Sequence, residues 1–287
     1  METLETRELR YFLAVAEELH FGRAAVRLGM AQPPLSRAIQ QLERRLGVRL
    51  LDRDRRGVAL TGAGEMLLHE GRAALDAVTA AARRTARAGD TDSAGGRRNR
   101  LVLAVKAAAS HELLHKLLDA YAAEPDAVEV EVLPSGTCEQ GKMLRDGRAD
   151  VALMHAPFNS LAGFDSEELL TESQIAILPA GHPLATRETL TLAEVTDVPD
   201  LPLARWSRDG AFPPGPGPEI HDQTQLAQLI ALGRTVAVFP DSARAWLWDA
   251  HTAVPLTDAP PVITHIAWPA HSRSLPLASL IRTATRL

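Results

Sequence analysis

The hydrophobic pattern of this chain changes once, near residue 100 of 287, and that change decides what it can fold into. Before it, apolar residues recur at the three- and four-residue spacings of amphipathic helices. After it, continuous apolar runs such as LVLAVKA (101–107) and DVALM (150–154) alternate with helical segments. That is the pattern of buried strands joined by crossover helices. The junction, GDTDSAGGRRN (89–99), is a polar, glycine-containing linker.

The first part holds two helices and a third with an unusual start. Residues 7–19 carry Leu9, Phe12, Leu13 and Ala16 on one face, and FGRAAVRLGM (21–30) turns Ala24, Ala25 and Leu28 inward before Gly29. AQPPLSRAIQQLERRL (31–46) sets Leu35, Ile39, Leu42 and Leu46 on one stripe, with Pro33 and Pro34 at its front. Proline inside a helix costs roughly 3 kcal/mol, but in the first turn its missing N–H and fixed φ do no harm. The result is helix, tight turn, helix, with a stiff exposed tip whose start relies on Gln32 in place of a side-chain cap at Ala31. Ser36, Arg37, Gln40, Gln41 and Arg44 face away from the apolar stripe, and such side chains suit base edges and phosphates in a major groove.

VRLLDRDRRGVALT (48–61) reads as a small β-hairpin with a charged tip. Thr61 then caps a long Ala-rich helix that has Glu65 in its first turns and runs to about Arg87. Its stripe of Leu67, Leu68, Ala74, Leu75, Val78 and Ala82 is too apolar for a lone helix. Residues 1–100 hold 18 Lys and Arg against 13 Asp and Glu, whereas the rest is acidic enough to bring the whole chain to −5. A basic front end suits a polyanion. No run of eighteen apolar residues suggests a membrane span, and METLETRELR lacks the apolar core of a secretory signal. A single cysteine, Cys138, fits a reducing compartment, so the cytoplasm is expected.

Beyond residue 100 the order is strand (101–107), helix (about 110–123), strand VEVEVL (128–133), helix from about Thr137, and strand DVALM, which argues for a parallel sheet. QIAILPA (174–180) begins another such unit, LAQLIALGRTVAVFP (226–240) is helix, glycine, strand, and DGAFPPGPGPEI (209–220) is a surface loop. ITHIAWP (263–269) is a strand, and a last helix starts near Leu275.

HELLH (111–115) matches the zinc-protease pattern, with His111 and His115 on one helix face and Glu112 as base. No third ligand follows it, and Leu113, Leu114, Leu117 and Leu118 mark a packing face. A helix without catalytic metal is expected, a zinc-dependent hydrolase being the alternative. Cys138 lacks a Cys–His motif and is expected to be a small packing or ligand-side residue.

The stretch from Arg10 to Glu65 resembles the winged helix-turn-helix of LysR-type transcriptional regulators through LRYF, F-x-R-A-A, QPPLSR, LE-x-x-LG-VRL and LT-x-AGE. LRDGRADVAL, GHPLA and GRTVAVFP extend the resemblance, less specifically, along the remainder. It implies an all-α winged domain (1–61), a linker helix and hinge (62–99), and an α/β effector domain (100–287) with two lobes like a periplasmic solute-binding protein. Lobe I would take about 100–172 and 262–287, and lobe II about 173–261. A plain solute-binding protein is the other alternative.

The resemblance implies no enzyme and no cofactor beyond a small-molecule effector, with organic acids common in the family. It also implies promoter DNA and further copies of the chain as partners, in a dimer or tetramer, with RNA polymerase possible and no membrane. DNA contacts fall on Gln32, Pro33, Pro34, Ser36, Arg37, Gln40, Gln41 and the wing residues Arg53 and Arg55, and dimer contacts on Leu68, Leu75 and Val78. In LPSGTCEQG (133–141) Thr137 would cap a helix and hold the effector. Ser110 would add a second hydroxyl, although strict alignment puts Ala108 there, and His155 and Phe239 would line the same cleft.

Overall fold

The computed structural model describes residues 4–54, 57–90, 100–107, 109–207 and 211–287. The chain divides into two compact units: residues up to Ala86 with Arg145–Gly147, and the remainder.

In the first unit, α1 (Thr6–Glu18), α2 (Phe21–Arg27) and α3 (Gln32–Leu46) close around Phe12, Val15, Ala24, Leu35, Ile39 and Leu42. α2 opens on His20, whose Nδ1 accepts from the Arg23 N–H at 3.2 Å. α3 carries its prolines in the first turn, and neither Ala31 nor Gln32 supplies a side-chain cap. Proline's fixed φ suits that start on its own. Leu46 departs from the expected stripe and is 39% exposed, since Gly47 ends the helix in the left-handed region at φ +71°.

The wing is an antiparallel pair, β1 (Leu51–Asp54) and β2 (Gly57–Leu60), with Leu51 opposite Leu60. Glu43 ties it to α3: its Oε1 accepts from the N–H groups of Leu50 (2.9 Å) and Leu51 (3.1 Å). Thr61 Oγ1 accepts from the Gly64 N–H at 3.0 Å at the start of α4 (Gly62–Asp90). A Cβ at Gly64 would meet the Leu50 carbonyl oxygen at 2.1 Å, so only glycine lets the helix start this close to the wing. Leu67, Leu68 and Leu75 of α4 are half-buried against the winged core, whereas Ala74, Val78 and Ala82 are exposed.

The second unit begins with β3 (Arg100–Lys106), α5 (His111–Ala122), β4 (Glu129–Ser135), α6 (Gln140–Arg145), β5 (Val151–Ala156) and β6 (Phe164–Glu172). It continues through β7 (Gln174–Pro179), α7 (Leu192–Thr196), β8 (Arg205–Trp206), β9 (Glu219–Ile220), α8 (Gln223–Ala231), β10 (Ala237–Pro240) and β11 (His251–Pro255). It ends with β12 (Val262–Pro269) and α9 (Leu275–Ala284). One sheet has the order β4-β3-β5-β12-β6 and a second the order β10-β7-β11. The chain passes to the second sheet at Ser173 and returns between Pro255 and Val262. Leu103, Leu153 and Ile266 pack under α5 and α9 on one face of the larger sheet, and Val102 and Met154 on the other face pack against Leu144 of α6.

The parallel expectation for the β-α-β-α-β run holds for β3 with β4 and β5, and β8 and β9 also pair in parallel. β12 runs antiparallel to β5 and β6, and the second sheet is antiparallel throughout. An apolar run reports burial on both faces and says nothing of strand direction. β6 (FDSEELLTE) was not anticipated because it is an edge strand with largely exposed charged residues and no apolar run. The helix expected from about Thr137 begins at Gln140, so Thr137 lies in the preceding turn and caps nothing.

Candidate functional site

In the first unit the buried stripe of α3 leaves Gln32, Pro33, Arg37, Gln40 and Gln41 exposed on the opposite face, with Pro34 and Ser36 half-buried. Arg53 is engaged within its own unit. Its Nη1 donates to Ser36 Oγ at 3.3 Å, its Nη2 lies 3.8 Å from Glu43, and its guanidinium sits 4.4 Å from the centre of the Phe21 ring. Arg55 lies outside the described residues.

In the second unit a cavity of about 880 Å³ opens between the two sheets. One wall comes from the carboxyl ends of β3, β4 and β5 and the turns that follow them, where ligands of α/β folds gather. Lys106 ends β3, Ser110 precedes α5, Thr137 and Cys138 follow β4, and His155 stands near the end of β5. The facing wall holds Trp206, Phe239 and Trp246. Phe239 meets both indoles edge-on, at 5.9 Å from Trp206 and 5.5 Å from Trp246, a favourable arrangement of ring quadrupoles.

Ser110 and His155 are both buried, and the Ser110 hydroxyl and His155 Nε2 are 2.9 Å apart. Ser110 holds a left-handed backbone at φ +52° and does not cap α5, since its hydroxyl turns to the histidine instead. Burial, with the nearby Lys106 and His265, pushes the His155 imidazole down to about 4, so it is neutral at pH 7. Its Nδ1 is buried without a hydrogen-bond partner. The His155 N–H donates to Asn159 Oδ1 at 2.8 Å, and Asn159 Nδ2 donates to Gln140 Oε1 at 3.3 Å, which fixes the turn after β5 against α6.

Comparison with known proteins finds a two-part match. Residues 6–65 match the family described as bacterial regulatory helix-turn-helix protein, lysR family, and residues 94–286 match the LysR substrate binding domain. The chain belongs to the LysR family. Among similar proteins, the HTH-type transcriptional regulator AlsR of Bacillus subtilis is 33% identical over 84% of this chain and 82% of its own. Oxidized OxyR of Corynebacterium glutamicum is 25% identical, with a TM-score of 0.54 over 99% of this chain and 91% of that one. Full-length CbnR complexed with its target DNA shares the fold at 24% identity and a TM-score of 0.52, covering 99% of each chain.

The protein is thus a LysR-type DNA-binding transcriptional regulator with an effector-binding domain, and not a plain solute-binding protein. Its cavity brings together Ser110, Thr137, His155 and Phe239, four residues that lie far apart in the sequence. Ala108 lies outside the described residues. Sequence reasoning missed Lys106, Trp206 and Trp246. Lys106 left a signal, a cation ending an otherwise apolar strand run, while Trp206 and Trp246 stand in segments without periodicity.

The HELLH side chains do not converge on a cavity. His115 Nδ1 lies 3.0 Å from Asp119, and Glu112 pairs with Lys116 at 2.7 Å, all on the exposed side of α5. Leu117 and Tyr121 are the buried face of that helix. Among the described residues no three His, Cys, Asp or Glu side chains are grouped to hold a metal ion, and no helix is long and apolar enough to cross a membrane.

Proposed function

We propose that the regulator reads duplex DNA with the exposed face of α3, through Gln32, Pro33, Pro34, Ser36, Arg37, Gln40 and Gln41. Arg53 and Arg55 of the wing lie against the sugar–phosphate backbone. Copies of the chain pair through α4, with Val78 at the centre of the contact and Leu68 and Leu75 shared between it and their own winged core. The effector occupies the cavity between the two sheets and touches Ser110, Thr137, His155 and Phe239. It shifts the population of lobe arrangements and so the spacing that paired winged domains impose on DNA. The protein works by binding, in the cytoplasm, with no catalytic role for HELLH.

The observation that carries the effector reading is the buried Ser110–His155 pair in the wall of a cavity faced by Trp206, Phe239 and Trp246. Polar groups buried beside such a space suit ligand recognition. Selection from a random duplex pool, followed by salt titration of the enriched sequence, tests the DNA reading. Arg37→Ala is expected to lower the salt slope by about 1 per subunit and weaken all sequences alike. An unchanged slope and affinity would remove Arg37 from the interface.

A further inference from the structure

Among the described residues, the effector cavity has one cation without a carboxylate partner. Arg205 also lines it, but all three nitrogens of its guanidinium are engaged and its charge is paired: Nε donates to the Gly217 carbonyl and Nη1 to the Pro213 carbonyl, each at 2.6 Å, and Nη2 lies 3.2 Å from Glu219. His155 is neutral at pH 7. Lys106 differs from both. Its Nζ lies 5.3 Å from the centre of the Trp206 ring and 5.0 Å from that of Phe239, and no carboxylate pairs with it among the described residues. Asp197 lines the cavity as well and forms no ion pair with Lys106.

A cation faced by two rings, with the Cys138 thiol and the neutral His155 as its titratable neighbours, is poorly compensated. An ammonium carries three N–H donors, and ring faces supply attraction without an acceptor oxygen. Burial accordingly pushes the Lys106 ammonium below its ordinary value of 10.5. Lys106 belongs to the first sheet, and its two rings stand at the second. The contact therefore spans the cavity that a ligand would enter.

We propose that Lys106 is the charge anchor of the effector site, and that the effector is a small monocarboxylate with a flat apolar body. The carboxylate takes the ammonium donors, and the body lies against Trp206, Phe239 and Trp246. One cation in apolar surroundings matches one negative charge. A phosphate monoester brings nearly two, and the second would be buried without a partner. Ser110 and the unpartnered Nδ1 of His155 remain for a hydrogen-bonding substituent on the ligand. This assignment rests on the effector reading of the same cavity.

Tryptophan fluorescence and calorimetric titration of the full chain test it, with benzoate, phenylacetate and cinnamate set against benzamide, phenylacetamide and cinnamamide, and with phenyl phosphate as the competing anion. At least one carboxylate is expected to bind about tenfold or more tightly than its amide. Lys106→Met is expected to lower carboxylate affinity far more than amide affinity and so erase that preference, with DNA binding in the absence of ligand retained, and Lys106→Arg to keep part of it. Carboxylate affinity should fall as pH rises through the lysine titration, and amide affinity should not. The assignment is overturned if no carboxylate binds the wild-type chain, if acids and amides bind alike, if Lys106→Met keeps the preference, or if phenyl phosphate outbinds every carboxylate. A neutral ligand whose affinity drops in Ser110→Ala or His155→Gln would remove the charge anchor yet leave the effector cavity in place.

Discussion

Each unit of the regulator holds a cation against aromatic rings, and the two are held for different ends. Arg53 stacks on Phe21 and is also bonded to Ser36 and faced by Glu43, the residue that ties the wing to α3. Lys106 has rings and, among the described residues, no carboxylate. Arg53 is steered by partners within its own unit, which orient the wing cation toward the backbone contact proposed for it. An ammonium without an acceptor oxygen keeps its donors for a ligand. What else each side chain touches separates a cation oriented by its own fold from one left for a small molecule.

The largest expected effect falls on the carboxylate that makes the difference. Glu43→Ala removes two charge-assisted hydrogen bonds to the Leu50 and Leu51 amides and the partner of Arg53, and is expected to destabilise the winged unit by about 4 kcal/mol. Hydrogen exchange at those two amides reads it directly, and unchanged protection would mean that the wing is held by other contacts. In the other unit, His155 loses its proton to burial. Its folded value lies at about 4 against an ordinary 6.5, so the unfolded chain binds the proton first as pH falls. The His155 contribution to stability should drop by about 3 kcal/mol between pH 6.5 and 4, below which the lowered carboxylates Glu8 and Glu17 take over the loss. His155→Gln, unfolded by denaturant across that range, should flatten the curve, and a wild-type curve with no slope there would contradict the buried neutral imidazole.

Lys106→Met should change stability by no more than about 1 kcal/mol at neutral pH, in the stabilising direction, because it removes a poorly compensated charge. The folded state binds the lysine proton less readily than the unfolded chain does. Wild-type stability therefore rises with pH up to about 10.5, and the gap between the two proteins should close over that range. A loss of several kcal/mol in the variant would make Lys106 a structural cation. The smallest effect is expected at Thr137. Because it lies in a turn ahead of α6, Thr137→Ala should leave thermal stability within about 0.5 kcal/mol, where loss of a helix cap would cost more.

The two units also differ in how far the sequence discloses them. The winged domain is local: the stripe of Leu35, Ile39 and Leu42, the proline pair and Gly47 each act within one or two turns, and all are written in consecutive residues. The cavity is assembled from β3, the turns after β4 and β5, and segments a hundred residues later, so no window of sequence contains it. Thr137, His155 and Phe239 were reachable because they stand after strands or at strand ends, a positional rule. Trp206 was not, since its two-residue strand sits among prolines and is placed only by pairing with β9. The parallel pairing of β3, β4 and β5 was legible, but extending it to QIAILPA failed, because strand direction is set by distant partners; Thr137 as a cap failed because α6 starts three residues later, at Gln140.

That late segment bears on how the molecule is made. β12 lies inside the larger sheet, between β5 and β6, yet it is built from residues 262–269. A ribosome therefore exposes the winged domain, whose contacts are local, long before the sheet around the effector cavity can be completed. Until β12 emerges, β5 and β6 each present an open edge to the surroundings, and a nascent chain halted short of residue 262 is a DNA reader joined to a half-built sensor that is open to misassociation.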